Sequence, residues 1–304
     1  MKICSLLPSA TEILFALGLG DAVVGVSHAC DFPAEVRDKP RVLRCSIAQD
    51  HDSSAAIDQA VRDALGRRES LYQIDTELMR RLQPDLVITQ DLCDVCAVSA
   101  PDVRASVEAL SPRPEVIALH PHTLGEMLED IRTIGRRTGR RTQAQDLVNH
   151  LAQRIDRLRR RMAGSSMRPR VFCFEWLQPP MATGHWVPEM VELAGGREVL
   201  GQTGKPSRYV DWTEITTAKP EVLVLMPCGF SIERTRRECD LLRRMPGWLE
   251  LPAVVQRRVY ALDAAAYFNR SGPRLVDGVD ILARLIHPAR AGVLPNNPVE
   301  CIMP

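Results

Sequence analysis

The chain has 304 residues, 45% of them apolar and 25% charged, with a formal net charge of +1. That balance excludes a disordered or fibrous polymer and a dedicated nucleic-acid surface, which needs clustered excess Lys and Arg. No stretch reaches the roughly 20 apolar residues of a membrane span, and nine cysteines, an odd number spread unevenly, read as thiols of a reducing compartment instead of a disulfide framework.

Lys2 to Leu7 reads as a short buried strand, and Pro8-Ser9-Ala10-Thr11-Glu12 then carries helix-start chemistry, with Ser9 or Thr11 as cap and Glu12 in the first turn. Pro8 interrupts the N-terminus before the apolar core of a signal peptide forms, so the chain as written is expected in the cytoplasm, and in the periplasm if its true start lies upstream. Further strands are predicted at Val23–Ser27, Leu86–Thr89 and Glu115–Leu119, each rich in branched aliphatics and separated by helical or turn-rich segments. Such alternation predicts a largely parallel sheet.

From Thr123 the pattern turns helical, with Leu124, Met127, Leu128, Ile131 and Ile134 on one stripe, a break at Gly139, and a second stripe through Ala144, Leu147, Val148, Leu151, Ile155, Leu158 and Met162. The second stripe makes a rod of about 30 Å. Arg157, Arg159, Arg160 and Arg161 form its wet face. A new strand opens at Arg170–Phe174, a last one is predicted at Arg258–Leu262, and a helix follows over Pro273–Ile286. The tail from Pro288 to Pro304 lacks periodicity and is expected to be irregular or partly disordered.

The two halves repeat one another. Glu12-Ile13-Leu14-Phe15-Ala16-Leu17 stops at Gly18-Leu19-Gly20 before Val23, and Pro188-Glu189-Met190-Val191-Glu192-Leu193-Ala194 stops at Gly195-Gly196 before Val199. Leu82-Gln83-Pro84-Asp85-Leu86-Val87-Ile88 is answered by Ala218-Lys219-Pro220-Glu221-Val222-Leu223-Val224. The expected fold class is α/β: two lobes with mainly parallel sheets joined by one long helix, with a ligand cleft between them. The predicted boundaries are an N-terminal lobe over 1–120, a helical spine over 121–164, a C-terminal lobe over 165–288 and the tail over 289–304.

Cys93 and Cys96 form a CxxC in the loop after the strand ending near Thr89, at the strand end where open α/β sheets bind ligands. His28 and Cys30 follow the Val23–Ser27 strand, Cys228 follows the matching strand of the second half, and His185 lies in a nearby loop. These six are candidate ligands for zinc, iron or another thiophilic metal. Against this stands burial: free Cys is among the most buried residue types, and Cys4, Cys45, Cys173, Cys239 and Cys301 are assigned to packing or surface. His120 and His122, flanking Pro121, read as solvated hinge residues. The sequence has no GxSxG, P-loop or HExxH. An enzyme is therefore not expected, a zinc-activated water being the surviving form.

Several motifs resemble the substrate-binding proteins of vitamin B12 and iron-chelate ABC transporters, and among them the cobalamin binders. They are Ser5-Leu6-Leu7-Pro8-Ser9-Ala10-Thr11-Glu12, Val24-Gly25-Val26-Ser27 with Cys30-Asp31-Phe32-Pro33, Leu82-Gln83-Pro84-Asp85-Leu86-Val87-Ile88, Glu192-Leu193-Ala194-Gly195-Gly196, and Tyr267-Phe268-Asn269-Arg270-Ser271-Gly272-Pro273-Arg274. The resemblance implies a class III-like pair of lobes on a helical backbone. It also implies cobalamin or another corrinoid or metal chelate as ligand, and an ABC permease as partner. The ligand contacts it implies are Pro8, Ser9, Ala10, Thr11, Gln90, Trp176, Trp186, Tyr209, Tyr267, Phe268 and Arg270, with Trp212 nearby. Aromatic faces suit a corrin because burying that flat disc yields about 25 cal/mol per Å² of apolar area. Ala266 stands where some cobalamin binders carry an acid, and Gln90 where one carries an aromatic.

Overall fold

The computed structural model describes residues 1–47, 53–92, 98–108, 110–165, 167–292 and 299–301. They form two compact units: Met1–Asp52, Ala56–Pro121 and Gly125–Asn149 make the first, and Ser53–Ala55, His122–Leu124 and His150–Pro304 the second.

The first unit begins with β1 (Ile3–Ser5), α1 (Pro8–Ala16), β2 (Val23–Ser27) and β3 (Arg41–Cys45), and continues through α2 (Ser54–Gly66), whose first two residues count with the second unit. It then runs through β4 (Tyr72–Ile74), α3 (Thr76–Leu82), β5 (Leu86–Gln90), α4 (Ala100–Val107) and β6 (Glu115–Leu119). The sheet order is β4-β3-β2-β1-β5-β6, parallel throughout except for β4 against β3. Every residue of β1, and Leu86 to Thr89 of β5, is buried. Central parallel strands are covered on both faces, so they read as continuous apolar runs in the sequence. β3 and β4 escaped the sequence reading because β3 is bracketed by half-buried Arg41 and Cys45 and β4 has three residues.

The start of α1 differs from the expected one. Pro8 is its first residue, Leu7 is the cap, and no side chain caps it. Proline presets the helical φ and has no N–H to satisfy, so a polar cap is dispensable. Thr11 instead turns its hydroxyl back toward the strand. The helical stretch after β6 is two helices, α5 (Leu124–Arg137) and α6 (Arg141–Ala163), parted at Gly139 with φ +71. A methyl on Gly135 would stand 2.3 Å from the Ala144 Cβ, so this glycine lets the two helices approach closely. The 23 residues of α6 span about 35 Å.

The second unit contains β7 (Arg170–Trp176), β8 (Met181–Ala182), α7 (Val187–Leu193), β9 (Arg197–Glu198), β10 (Arg208–Tyr209), α8 (Trp212–Ala218) and β11 (Val222–Leu225). It ends with α9 (Ile232–Arg243), α10 (Pro252–Val255), β12 (Val259–Leu262), α11 (Ala264–Tyr267), α12 (Leu275–Ile286), α13 (Pro288–Ala291) and β13 (Val299–Cys301). Its sheet runs β10-β8-β7-β11-β12-β13, with β9 also on β7. β7, β11 and β12 are parallel and their interior side chains, among them Phe172, Phe174, Leu223, Leu225 and Ala261, are buried with Cys239, Leu242 and Trp248. Of the tail, residues 288–292 and 299–301 are described. They contribute α13 and then β13, antiparallel to β12 with Leu262 opposite Val299, because β12 otherwise ends the sheet with an unpaired edge.

Candidate functional site

In the first sheet the chain moves from β1 to β2 on one side, and from β5 to β6 on the other, so the strand order reverses between β1 and β5. Ligands of open α/β sheets bind outside the carboxyl ends of the strands at such a reversal. Pro8 and Ser9 follow β1 there, and Gln90 closes β5. Pro8 and Gln90 are half-buried, whereas Ser9 at 3% exposure and Ala10 and Thr11 at 0% are closed to solvent. The turn is locked from behind. Leu6 N–H donates to the Ile88 carbonyl at 2.9 Å, Ser5 Oγ donates to the Leu7 carbonyl at 3.1 Å, and Thr11 Oγ1 lies 2.8 Å from Ser5 Oγ.

Cys30 belongs to that lock. Its thiol is buried, 3.1 Å from Thr11 Oγ1, and His28 stands exposed after β2 with its ring 6.0 Å from that of Tyr72. The two residues proposed together from their spacing thus have different surroundings, one in the core and one at the surface beside the Tyr72 ring. Cys93 and Cys96 lie outside the described residues. Among the described residues no group of three or more His, Cys, Asp or Glu side chains is placed to hold a metal ion.

The second sheet presents a matching carboxyl edge. Trp176 ends β7, Cys228 follows β11, and Tyr267 and Arg270 follow β12. Trp176 packs edge-on against Phe230, ring centroids 5.0 Å apart, and its indole N–H donates to the Ser54 carbonyl at 3.0 Å. The Arg234 guanidinium covers the Phe230 ring at 3.7 Å. Phe230 and Arg234 were absent from the sequence-derived set, and the available signal was the Pro227-Cys228-Gly229 turn after a predicted strand. Cys228 is half-buried, its N–H on the Glu175 carbonyl at 3.0 Å.

The segment after β12 is held from beneath. Asp263 caps α11 by accepting the Ala266 N–H at 3.0 Å, and the Trp186 indole donates to the Phe268 carbonyl at 2.7 Å. Phe268 is fully buried and Trp186 nearly so, so neither ring face is open. Tyr267 is half-buried with the Arg274 guanidinium 5.8 Å from its ring, and Arg270 is half-buried. Tyr209, on the short strand β10, is 48% exposed. Trp212 is engaged elsewhere: it stacks on Trp248 at 6.2 Å and donates to the Pro246 carbonyl at 2.7 Å.

His185 does not meet the cysteines named with it, among the described residues. It meets His122, Nδ1 to Nδ1 at 3.2 Å, and its ring also lies 5.7 Å from that of Trp186. Burial, with His122 beside it, holds the His185 imidazole below the ordinary histidine range. His122, read from sequence as a solvated hinge residue, is half-buried. Nothing local marks a pairing across 63 residues.

Residues 3–266 match the profile of the periplasmic binding protein family. The chain is 26% identical over 282 residues to a vitamin B12-binding protein of Vibrio cholerae serotype O1, covering 92% of this chain and 86% of that one. It is also 26% identical over 298 residues to an uncharacterized ABC transporter substrate-binding lipoprotein of Bacillus subtilis, covering 94% and 80%. Among solved structures, the periplasmic heme-binding protein RhuT of Roseiflexus sp. RS-1 in apo form shares the fold, with a TM-score of 0.71 and 23% identity over 96% of this chain and 99% of that one. Two α/β units with mainly parallel sheets, and a profile match over most of the chain, lead to one assignment: this chain belongs to the periplasmic binding protein family.

Proposed function

We propose that this protein binds vitamin B12 or a closely related corrinoid and hands it to an ABC permease, performing no reaction of its own. The observation that carries the reading is the match of 92% of the chain to a vitamin B12-binding protein within a shared family. The setting that goes with it is the outer face of the cytoplasmic membrane. No helix among the described residues is long and apolar enough to cross a membrane.

Each carboxyl edge, taken by itself, carries side chains of the kind that suit a large, flat, partly apolar ligand. In this reading the contacts are Pro8 and Gln90 in the first unit, and Trp176, Tyr209, Tyr267 and Arg270 in the second; Ser9, at 3% exposure, belongs with the residues behind them. Aromatic faces cover the disc, and Arg270 offers a rigid fork of donors to the acceptor groups at its rim. Ala10, Thr11, Trp186 and Phe268 are closed to solvent, so in this reading they fix the backbone behind the contacts and do not touch the ligand. Titration with cobalamin, followed by visible absorbance and by heat, tests the proposal. Saturable binding at micromolar concentration or tighter is expected; saturation by heme with none by cobalamin overturns it.

A further inference from the structure

The His122 and His185 pair is unexplained by corrinoid binding. Two imidazole nitrogens that approach to 3.2 Å carry two lone pairs or one proton between them. The ring centroids are 5.3 Å apart, so the Nδ1 atoms are the facing edges of the two rings. A separation of 3.2 Å is also close to the distance between two nitrogens that share a tetrahedral ion with bonds of about 2.0–2.1 Å.

We propose that His122 and His185 form a two-imidazole site for one divalent transition-metal ion, beside the Trp186 that holds the Phe268 carbonyl. Imidazole nitrogen is the borderline donor that suits Zn²⁺, Cu²⁺ and Ni²⁺. Binding requires each ring to turn about its broad terminal torsion until both lone pairs meet at a common ion. Water fills the remaining positions.

The backbone on both sides is fixed in advance. His185 adopts φ +51, a left-handed conformation in which histidine is enriched, and is pinned by its N–H on the Lys205 carbonyl at 2.6 Å and its carbonyl under the Gly204 N–H at 2.9 Å. A methyl on Gly184 would stand 2.2 Å from the Lys205 carbonyl oxygen, so the two strands of this loop are in direct backbone contact. On the other side, the Leu124 N–H donates to Glu189 Oε2 at 2.9 Å, tying the segment of His122 to α7. Two ligands on backbone already ordered lose little freedom on binding an ion. The partial burial of both rings limits competition from bulk water.

The test is titration of the full chain, stripped with a chelator, with ZnCl₂ and separately CuCl₂, following heat and stoichiometry. One ion per chain is expected. His122→Ala and His185→Asn are each expected to weaken it at least about tenfold, while His120→Ala leaves it unchanged; the double variant Cys93→Ser, Cys96→Ser is titrated beside them. Asn tolerates the left-handed backbone at 185, and His122 lies on a different segment, so misfolding of one variant does not remove the test. Equal affinity in wild type and both histidine variants overturns the proposal and leaves a shared-proton hydrogen bond. Loss only in the cysteine variant also overturns it. Because cobalamin titration is read on the same samples, failure here is distinguishable from failure of the corrinoid reading.

Discussion

Glu221 and Arg170 exchange two hydrogen bonds at the base of β7. The Arg170 N–H donates to Glu221 Oε2 at 2.9 Å, and the Glu221 N–H donates to the Arg170 carbonyl at 2.7 Å. Asp85 and Lys2 make the same exchange at the base of β1, at 2.7 and 2.8 Å. Each acid follows a proline, and each proline follows a non-glycine residue in the left-handed region, Gln83 at φ +51 and Lys219 at φ +47. The repeat seen in the sequence is therefore a repeated device: a helix stop, a proline that prevents its continuation, and an acid that fixes where the next strand pairs.

Removing that acid is expected to loosen the base of the second sheet. Glu221→Ala leaves the Arg170 N–H without its carboxylate, at a cost of about 1–3 kcal/mol in unfolding free energy. Asp85→Ala is expected to cost less, because the Asp85 side chain is 56% exposed against 27% for Glu221 and water replaces it more readily. Urea unfolding of both variants checks the order.

Tyr209 offers a clean separation of binding from stability. With 48% of its surface in solvent it contributes little to the core. Tyr209→Ala is expected to keep unfolding free energy within about 0.5 kcal/mol and to weaken cobalamin about tenfold. Phe268→Ala, at a fully buried ring, is expected to cost about 3–5 kcal/mol. Calorimetric titration and thermal unfolding on the same preparations check both.

Gly278 supports the segment that carries Tyr267. A methyl there would stand 2.5 Å from the Tyr267 carbonyl oxygen and 2.7 Å from Met190 Cε. The thioether can yield; the carbonyl belongs to backbone and cannot yield without moving Tyr267. Gly278→Ala is thus expected to lower cobalamin affinity and to cost about 1–3 kcal/mol of stability. An unchanged affinity would remove Tyr267 from the contact set.

Two buried carboxyls predict a pH dependence of stability. Glu198 is pushed up to about 7 by burial, offset in part by the N–H groups of Gly201, Leu200 and Val199 and the Cys173 thiol; Asp130 is raised to about 7 by burial and then by Glu126 and Glu129. A carboxyl raised in the folded state stabilises fully below its unfolded value and loses that contribution as pH rises through the folded value. Stability is therefore expected to fall between about pH 4 and 7, by at most about 3–4 kcal/mol for each group. Glu198→Gln and Asp130→Asn are each expected to flatten part of this slope, as read from urea midpoints across the range.

Much of the fold was legible because its central elements are buried on both faces. β1, β2, β5, β6, β7 and β12 coincide with predicted strands to within a few residues. The breaks at Gly18, Gly139 and Gly195 sit where φ is positive, at +72, +71 and +82, which most other residues adopt only at a cost. The candidate contacts were less legible. Spacing along the chain put Cys30 beside His28, but the side chain of Cys30 turns inward to Thr11 and that of His28 does not.

The sequence by itself determined the strand and helix segments, the helix stops and the repeated proline–acid spelling, because each is written in residues a few positions apart; the partners of those acids, Lys2 and Arg170, lie 83 and 51 residues away and were decided by the fold. Only the tertiary structure decided that β13 covers the edge of β12, that Trp186 holds the Phe268 carbonyl from 82 residues away, and that His122 meets His185 across 63. Those contacts are set by where packed elements bring distant backbone together, and no local pattern of residues encodes that distance.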